Sequence, residues 1–161
     1  MEKIQERIIN ITDKLENNCV IGAIRQGMIL MIPLLVVGYM SAMLINLPIP
    51  AFQQFLSGLW GGCIRAFLEN VYVSVNEFFA VYLTVATSVS YSMMKRRRRG
   101  IYESTGNVVV LVVITLAAFA AYAGIGYEDF SVARCSNMYA FNALLVALIS
   151  GGIYYALKES R

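Results

Sequence analysis

Four blocks of apolar side chains, each close to the length that crosses a bilayer, constrain this chain more than any other feature. They run at about Met28–Leu47, Val75–Met94, Val108–Ala123 and Met138–Leu157. Crossing ~30 Å of hydrocarbon takes about 20 helical residues. Of the 161 residues, 58% are hydrophobic and 14% are charged, where a soluble domain carries about 25% charge. Backbone amides have no water partners in lipid, so a spanning segment closes its hydrogen bonds within a helix. The expected fold is therefore all-α: a polytopic membrane protein with four transmembrane helices over residues 28–157. The third block is the shortest and draws on its flanking residues.

The segments around the blocks have their own character. Ile4, Ile8, Ile11 and Leu15 recur at steps of four, three and four, with charges on the other faces. This predicts an amphipathic helix within residues 1–27 that lies on the inner membrane surface, with a short coiled-coil segment as the alternative. A signal peptide is not expected, because Glu2, Glu6, Asp13 and Glu16 mix with the basic residues before any long apolar run. Asn46-Leu47-Pro48-Ile49-Pro50 ends the first span, since each proline pushes the preceding residue out of helical geometry. Residues 51–70 are apolar but carry Gln53, Gln54, Arg65, Glu69 and Asn70, with Trp60 suited to the interface. They predict a helix lying along the outer face. Lys95-Arg96-Arg97-Arg98-Arg99 reads as a charged turn after the second span, and a tail of residues 158–161 follows the fourth.

Charge sets the orientation. Eleven of the 13 Lys and Arg residues fall in the N-terminal segment, the loop at 95–102 and the C-terminal tail; only Arg65 and Arg134 fall on the other side. The positive-inside rule then places both ends in the cytoplasm. The basic run acts first as a topology lock, with anionic lipid headgroups as an additional partner. Nucleic-acid binding is not expected, because that needs a broad basic face interleaved with aromatics.

Little in the chain carries reactive chemistry. There is no histidine, which excludes a phosphohistidine carrier, a histidine-ligated metal and a histidine-based triad. No phosphate loop, metal-ligand spacing or nucleophile–base pair appears, so neither a cofactor nor an enzymatic activity is expected. Cys19, Cys63 and Cys135 have no paired spacing. They read as apolar fillers, with a Cys63–Cys135 bridge on the outer side as the alternative.

Two patterns merit a role. Ser74, Glu77, Thr84, Ser88 and Tyr91 form a polar stripe on the second span. Glu77, Thr84, Ser88 and Tyr91 are the substrate-binding candidates; interhelical hydrogen bonding is the simpler reading. Ala143, Ala147 and Gly151 recur at steps of four on the fourth span, and Ala117/Ala121 and Ala120/Gly124 do so on the third. Small residues at this spacing let helix backbones approach closely, within the bundle or across a dimer seam.

The run Ile21-Gly22-Ala23-Ile24-Arg25-Gln26-Gly27-Met28, followed by Met31-Ile32-Pro33-Leu34 and Val37-Gly38, resembles the opening of a transporter family. This is the IIC membrane component of the sugar phosphotransferase system, lactose/cellobiose (diacetylchitobiose) type. Asn46–Phe55 resembles the family's stop after its first span, Ser90-Tyr91-Ser92 its second-span ending, and Ser136–Tyr155 its fourth span. The resemblance covers essentially this whole chain and less than half of a typical family member. It implies the scaffold and dimer-forming half of a sugar permease in a bacterial inner (cell) membrane. Sugar-contacting residues belong to the family's second half, so none is carried over here. Related modules also occur fused to cyclic-di-nucleotide phosphodiesterase domains. The partners implied are thus the bilayer, a second copy of this chain, and either a second membrane half or a cytoplasmic signalling effector that this chain anchors. An unrelated four-helix membrane protein is the remaining alternative.

The charge asymmetry makes the first prediction. Reporters fused after Gly100 and at Arg161 will report cytoplasm, and one near Gly62 will report the outside. A cytoplasmic signal at Gly62 or an external one at Gly100 would sink the assignment.

Overall fold

The computed structural model describes residues 18–58, 62–99, 105–124 and 131–160. Among these, the regular elements are all helices: α1 (Cys19–Ile45), α2 (Pro50–Gly58), α3 (Cys63–Glu77), α4 (Phe79–Arg99), α5 (Thr105–Ala123) and α6 (Ala140–Glu159). Short 3-10 turns at Val132–Cys135 and Asn137–Tyr139 lead into α6. The amphipathic helix expected before residue 18, the interfacial Trp60 and the loop after Arg99 lie outside the described residues.

Helices α1 and α5 and the segment Asn137–Glu159 are each long and apolar enough to cross a membrane. Helices α3 and α4 meet the same test only together, across a 60° bend. The chain is an all-α polytopic membrane protein.

The helices depart from the expected spans in ways that follow from local chemistry. Helix α1 starts at Cys19, where the Asn18 side chain accepts a hydrogen bond from the Val20 amide at 3.0 Å. No break separates residues before and after Met28. Pro33 sits inside α1, as membrane helices tolerate. At the far end of α1, Gln53 Nε2 donates to the carbonyls of Ile45 at 2.8 Å and Leu47 at 3.0 Å. One of the glutamines that argued against a span therefore caps carbonyls that the end of a helix leaves open.

The outer-face segment is two helices, and the second runs on to Glu77. The chain then breaks at Phe78, which caps α3 by donating its amide to the Ser74 carbonyl. The continuous span expected over Val75–Met94 is thus corrected: its first turn belongs to α3. The polar residues Asn70, Ser74, Asn76 and Glu77 precede the break and the buried Ala80, Leu83 and Thr84 follow it, so the bend separates a mixed segment from a packed one. At its other end α4 continues through Arg99, so the basic run extends a helix and is not a tight turn.

Helix α4 is the centre of the bundle. α1, α5 and α6 pack on it, α3 packs on α1, and α2 on α3. The neighbours of the α1 glycines fix the pairing direction: Gly22 faces Met94, Gly27 faces Thr87 and Gly38 faces Val75. Residue numbers fall on one side as they rise on the other, so α1 runs antiparallel to α4 and keeps this pairing across the bend into α3.

Buried residues recur every four positions on the surrounding helices. They are Cys19, Ala23, Gly27 and Met31 on α1; Leu111, Thr115, Phe119 and Ala123 on α5; and Ala143, Ala147, Gly151 and Tyr155 on α6. Each set forms one ridge along its helix. The core has an apolar cluster at either end of α4. One gathers Ala80, Phe119, Ala123, Cys135 and Ala143, and the other Cys19, Ala23, Tyr91, Leu111 and Tyr155.

Two features at the end opposite the basic run resolve in the structure. Arg134 Nη1 reaches the Ala123 carbonyl at 3.4 Å, so its charge meets the negative end of the α5 dipole. Gly124, at φ 76°, closes that helix in the left-handed region. No disulfide joins Cys63, which is exposed, to Cys135, which is buried, so the bridge alternative is not realised.

The glycine contacts yield a paired prediction. A methyl group at Gly27 would sit 2.8 Å from Thr87 Oγ1 and 3.0 Å from Thr87 Cα, whereas one at Gly152 would meet nothing within 4 Å. Gly27→Ala should destabilise the detergent-solubilised protein by about 1–3 kcal/mol, the usual cost of overpacking. Gly152→Ala should be neutral or stabilising, since alanine is the better helix former by about 1 kcal/mol. Thermal unfolding of the two variants side by side checks this, and equal stabilities would contradict the close α1–α4 approach.

Candidate functional site

The polar residues of the second span lie mainly on α4, and they are the most buried polar groups described. Thr84, Thr87, Ser88 and Ser90 are 0% exposed and Ser92 is 1% exposed. A hydroxyl facing hydrocarbon lacks a partner, so a helix this rich in Ser and Thr is driven to the bundle centre.

Most of these hydroxyls are satisfied locally. Thr84 Oγ1 donates to the Ala80 carbonyl at 2.8 Å, and Ser90 Oγ to the Ala86 carbonyl at 2.7 Å. Ser88 Oγ lies 2.6 Å from the Thr84 carbonyl and 2.8 Å from Thr115 Oγ1, sharing one proton between two acceptors. Thr115 in turn donates to the Val112 carbonyl at 2.9 Å. The Ser88–Thr115 contact ties α4 to α5 midway between the two apolar clusters.

Thr87 Oγ1 is the buried side-chain oxygen with no hydrogen-bond partner among the described residues. It faces Gly27 on α1, where a side chain is missing.

Towards the basic end, a cluster of tyrosines replaces the hydroxyl mesh. Tyr155 OH and Ser92 Oγ are 2.9 Å apart, and the Tyr91 and Tyr155 rings lie 5.9 Å apart between centroids. Tyr154 meets Tyr155 edge-on at 5.4 Å. Lys95 Nζ stands 5.8 Å from the Tyr155 ring centroid and 3.9 Å from Glu159 Oε1. These contacts close the ends of α4 and α6 together.

The bend divides the polar stripe read from the sequence. Ser74 and Glu77 lie on α3 and are exposed, while Thr84, Ser88 and Tyr91 are buried on α4. The four binding candidates are therefore not one helical face and do not converge on a common site. The hydroxyl protons of Thr84 and Ser88 are engaged by carbonyls and by Thr115, and both side chains are fully buried. The fourth-span seam is corrected in the same way. Ala143 and Ala147 are 0% exposed, and a methyl group on Gly151 would sit 2.9 Å from the Tyr91 ring. This face is occupied within the chain, against α4, and is not free to join a second copy.

Residue-by-residue reading missed Gly27, Thr87, Thr115 and Tyr155. The signal was present as four-residue steps: Ala23 to Gly27 to Met31, and Ala147 to Gly151 to Tyr155. What it lacked was the partner helix for each step.

Comparison with known proteins gives two relatives, both in Bacillus subtilis (strain 168). YwbA, which is named as a permease IIC component, is 26% identical over 83 residues, covering 52% of this chain and 18% of that protein. The lichenan permease IIC component is 24% identical over 115 residues, covering 71% of this chain and 24% of that protein. The chain thus spans a quarter or less of the relatives it matches. No family model matches the chain, and no solved structure does. The resemblance to IIC components read from the first-span motif is supported by both relatives.

Proposed function

We propose that this IIC-like chain is the scaffold part of a sugar permease, holding a rigid, closed bundle against which a separate sugar-carrying part works. The observation that carries this reading is the state of α4. Its hydroxyls are turned inward, and those of Thr84, Ser88 and Ser90 are engaged with backbone carbonyls or with Thr115. A sugar site needs polar groups that water or substrate can reach, and α4 presents none of its buried hydroxyls that way. By resemblance, the family's sugar contacts belong to the half that follows this one. The names of the relatives make oligosaccharides of lichenan the natural probe.

Reconstituted in liposomes, this chain should show no saturable uptake or binding of such oligosaccharides. Specific binding abolished by Glu77→Ala or Ser88→Ala would overturn the scaffold reading and make the polar residues of α3 or α4 a site.

The scaffold reading includes self-association in the cytoplasmic membrane, with both ends inside. Support for a seam on α5 is that Ala117 and Ala121 are exposed at a four-residue step. Small residues there permit the close backbone approach that drives helix association in lipid. A homodimer is expected in mild detergent. Ala117→Phe should weaken it, whereas Ala147→Phe should unfold the monomer instead. A monomer at every concentration ends the dimer proposal, and a dimer indifferent to Ala117→Phe places the seam off this face.

A further inference from the structure

The basic end of the bundle carries a groove that none of the packing above uses. It lies between the start of α5 and the end of α6, encloses about 620 Å³, and is lined by Asn107, Tyr154, Leu157, Lys158 and Ser160. Its lining has two chemical characters. The Lys158 ammonium, the Ser160 hydroxyl and the Asn107 amide are hydrogen-bond donors. Tyr154 and Leu157 form an apolar wall, and Leu157 is 68% exposed.

The surrounding charge favours an anion. Helix α5 begins at Thr105, so the positive end of its dipole lies beside Asn107. The nearby Glu159 is paired with Lys95 at 3.9 Å, which offsets its charge. Arg96 and Arg97 follow Lys95 on α4.

Donors at the basic end, beside an apolar wall on the last turns of α6, fit an amphiphile with an anionic head. We propose that this groove holds the phosphate headgroup of an anionic phospholipid. The phosphodiester oxygens take the donors of Lys158, Ser160 and Asn107, and the glyceryl and acyl carbons lie along Tyr154 and Leu157. Free phosphate would use the donors and leave the wall uncovered. A choline headgroup would bring a cation into the basic end.

The test uses the full chain in mild detergent. Retention of phosphatidylglycerol, phosphatidylcholine and soluble glycerol phosphate is read by native mass spectrometry. Phosphatidylglycerol should be retained well above phosphatidylcholine, and glycerol phosphate should neither bind nor displace it. Lys158→Gln should reduce that retention about five-fold, the effect of one basic contact at an anionic surface. Lys158→Arg should preserve it, and Arg65→Gln at the opposite end should leave it unchanged. Equal retention of the two lipids overturns the proposal, as does wild-type retention in Lys158→Gln. Displacement by glycerol phosphate also overturns it, in favour of a free-phosphate site. If Lys158→Gln does not fold, the Asn107→Leu/Ser160→Ala variant takes its place, and wild-type retention there overturns it equally.

Discussion

The rest of the structure depends on one constraint: the hydroxyl-bearing face of α4 cannot be left against lipid. Thr84, Thr87, Ser88, Ser90 and Ser92 are all buried, and burying a hydroxyl without a partner costs about 1–3 kcal/mol by mutational measures. Back-bonding to the preceding turn satisfies Thr84, Ser88 and Ser90 within their own helix. That alone would leave their oxygens exposed to acyl chains. Three apolar helices complete the shielding, and each does so with a ridge of residues four apart. Between helices in lipid there is no hydrophobic driving force, so close contact itself must supply the attraction. Gly27, Ala143, Ala147 and Gly151 are the positions where contact is closest, because there the side chain is a methyl group or less.

The two ends of the bundle solve a second problem, the unpaired backbone groups that every helix end exposes. At the end away from the basic run these are met by side chains from the next element in sequence: Gln53 on the end of α1 and Arg134 on the end of α5. The same residues shape the connections. Gln53 ties α2 to the end of α1, and Arg134 ties the first 3-10 turn to the end of α5. At the basic end the closing contacts are between side chains, with Ser92, Tyr155, Lys95 and Glu159 joining α4 to α6. The end away from the basic run is thus pinned by backbone caps and the basic end by aromatic and ionic pairs.

This division bears on the proposed scaffold role. Polar interhelical contacts in membranes average only about 0.6 kcal/mol, so the Ser88–Thr115 bond specifies the register of α5 more than it holds α5 in place. Rigidity comes from the glycine and alanine contacts, where neither helix has slack to move. The exposed faces of α1 and α5, rich in Val, Ile and Met, are what the bundle offers to lipid and to neighbouring helices.

The sequence by itself determined the class of the molecule. Block lengths near 20 apolar residues, low charge and a one-sided distribution of Lys and Arg left only a helical membrane protein, because lipid permits few other backbones. It also held the small-residue steps at Ala143, Ala147 and Gly151 and the first-span run that resembles IIC components. It did not reveal the break at Phe78, where no proline or glycine interrupts the helix and the bend separates the mixed α3 from the packed α4. The reading of Glu77, Thr84, Ser88 and Tyr91 as one stripe failed at that break. Nor did it say which helix each small-residue ridge meets. A four-residue step records that a close neighbour exists, while the neighbour's identity depends on how four helices share one polar surface. Only the tertiary structure decided that the Ala143–Ala147–Gly151 ridge serves α4, since α4 carries the hydroxyls that most need covering.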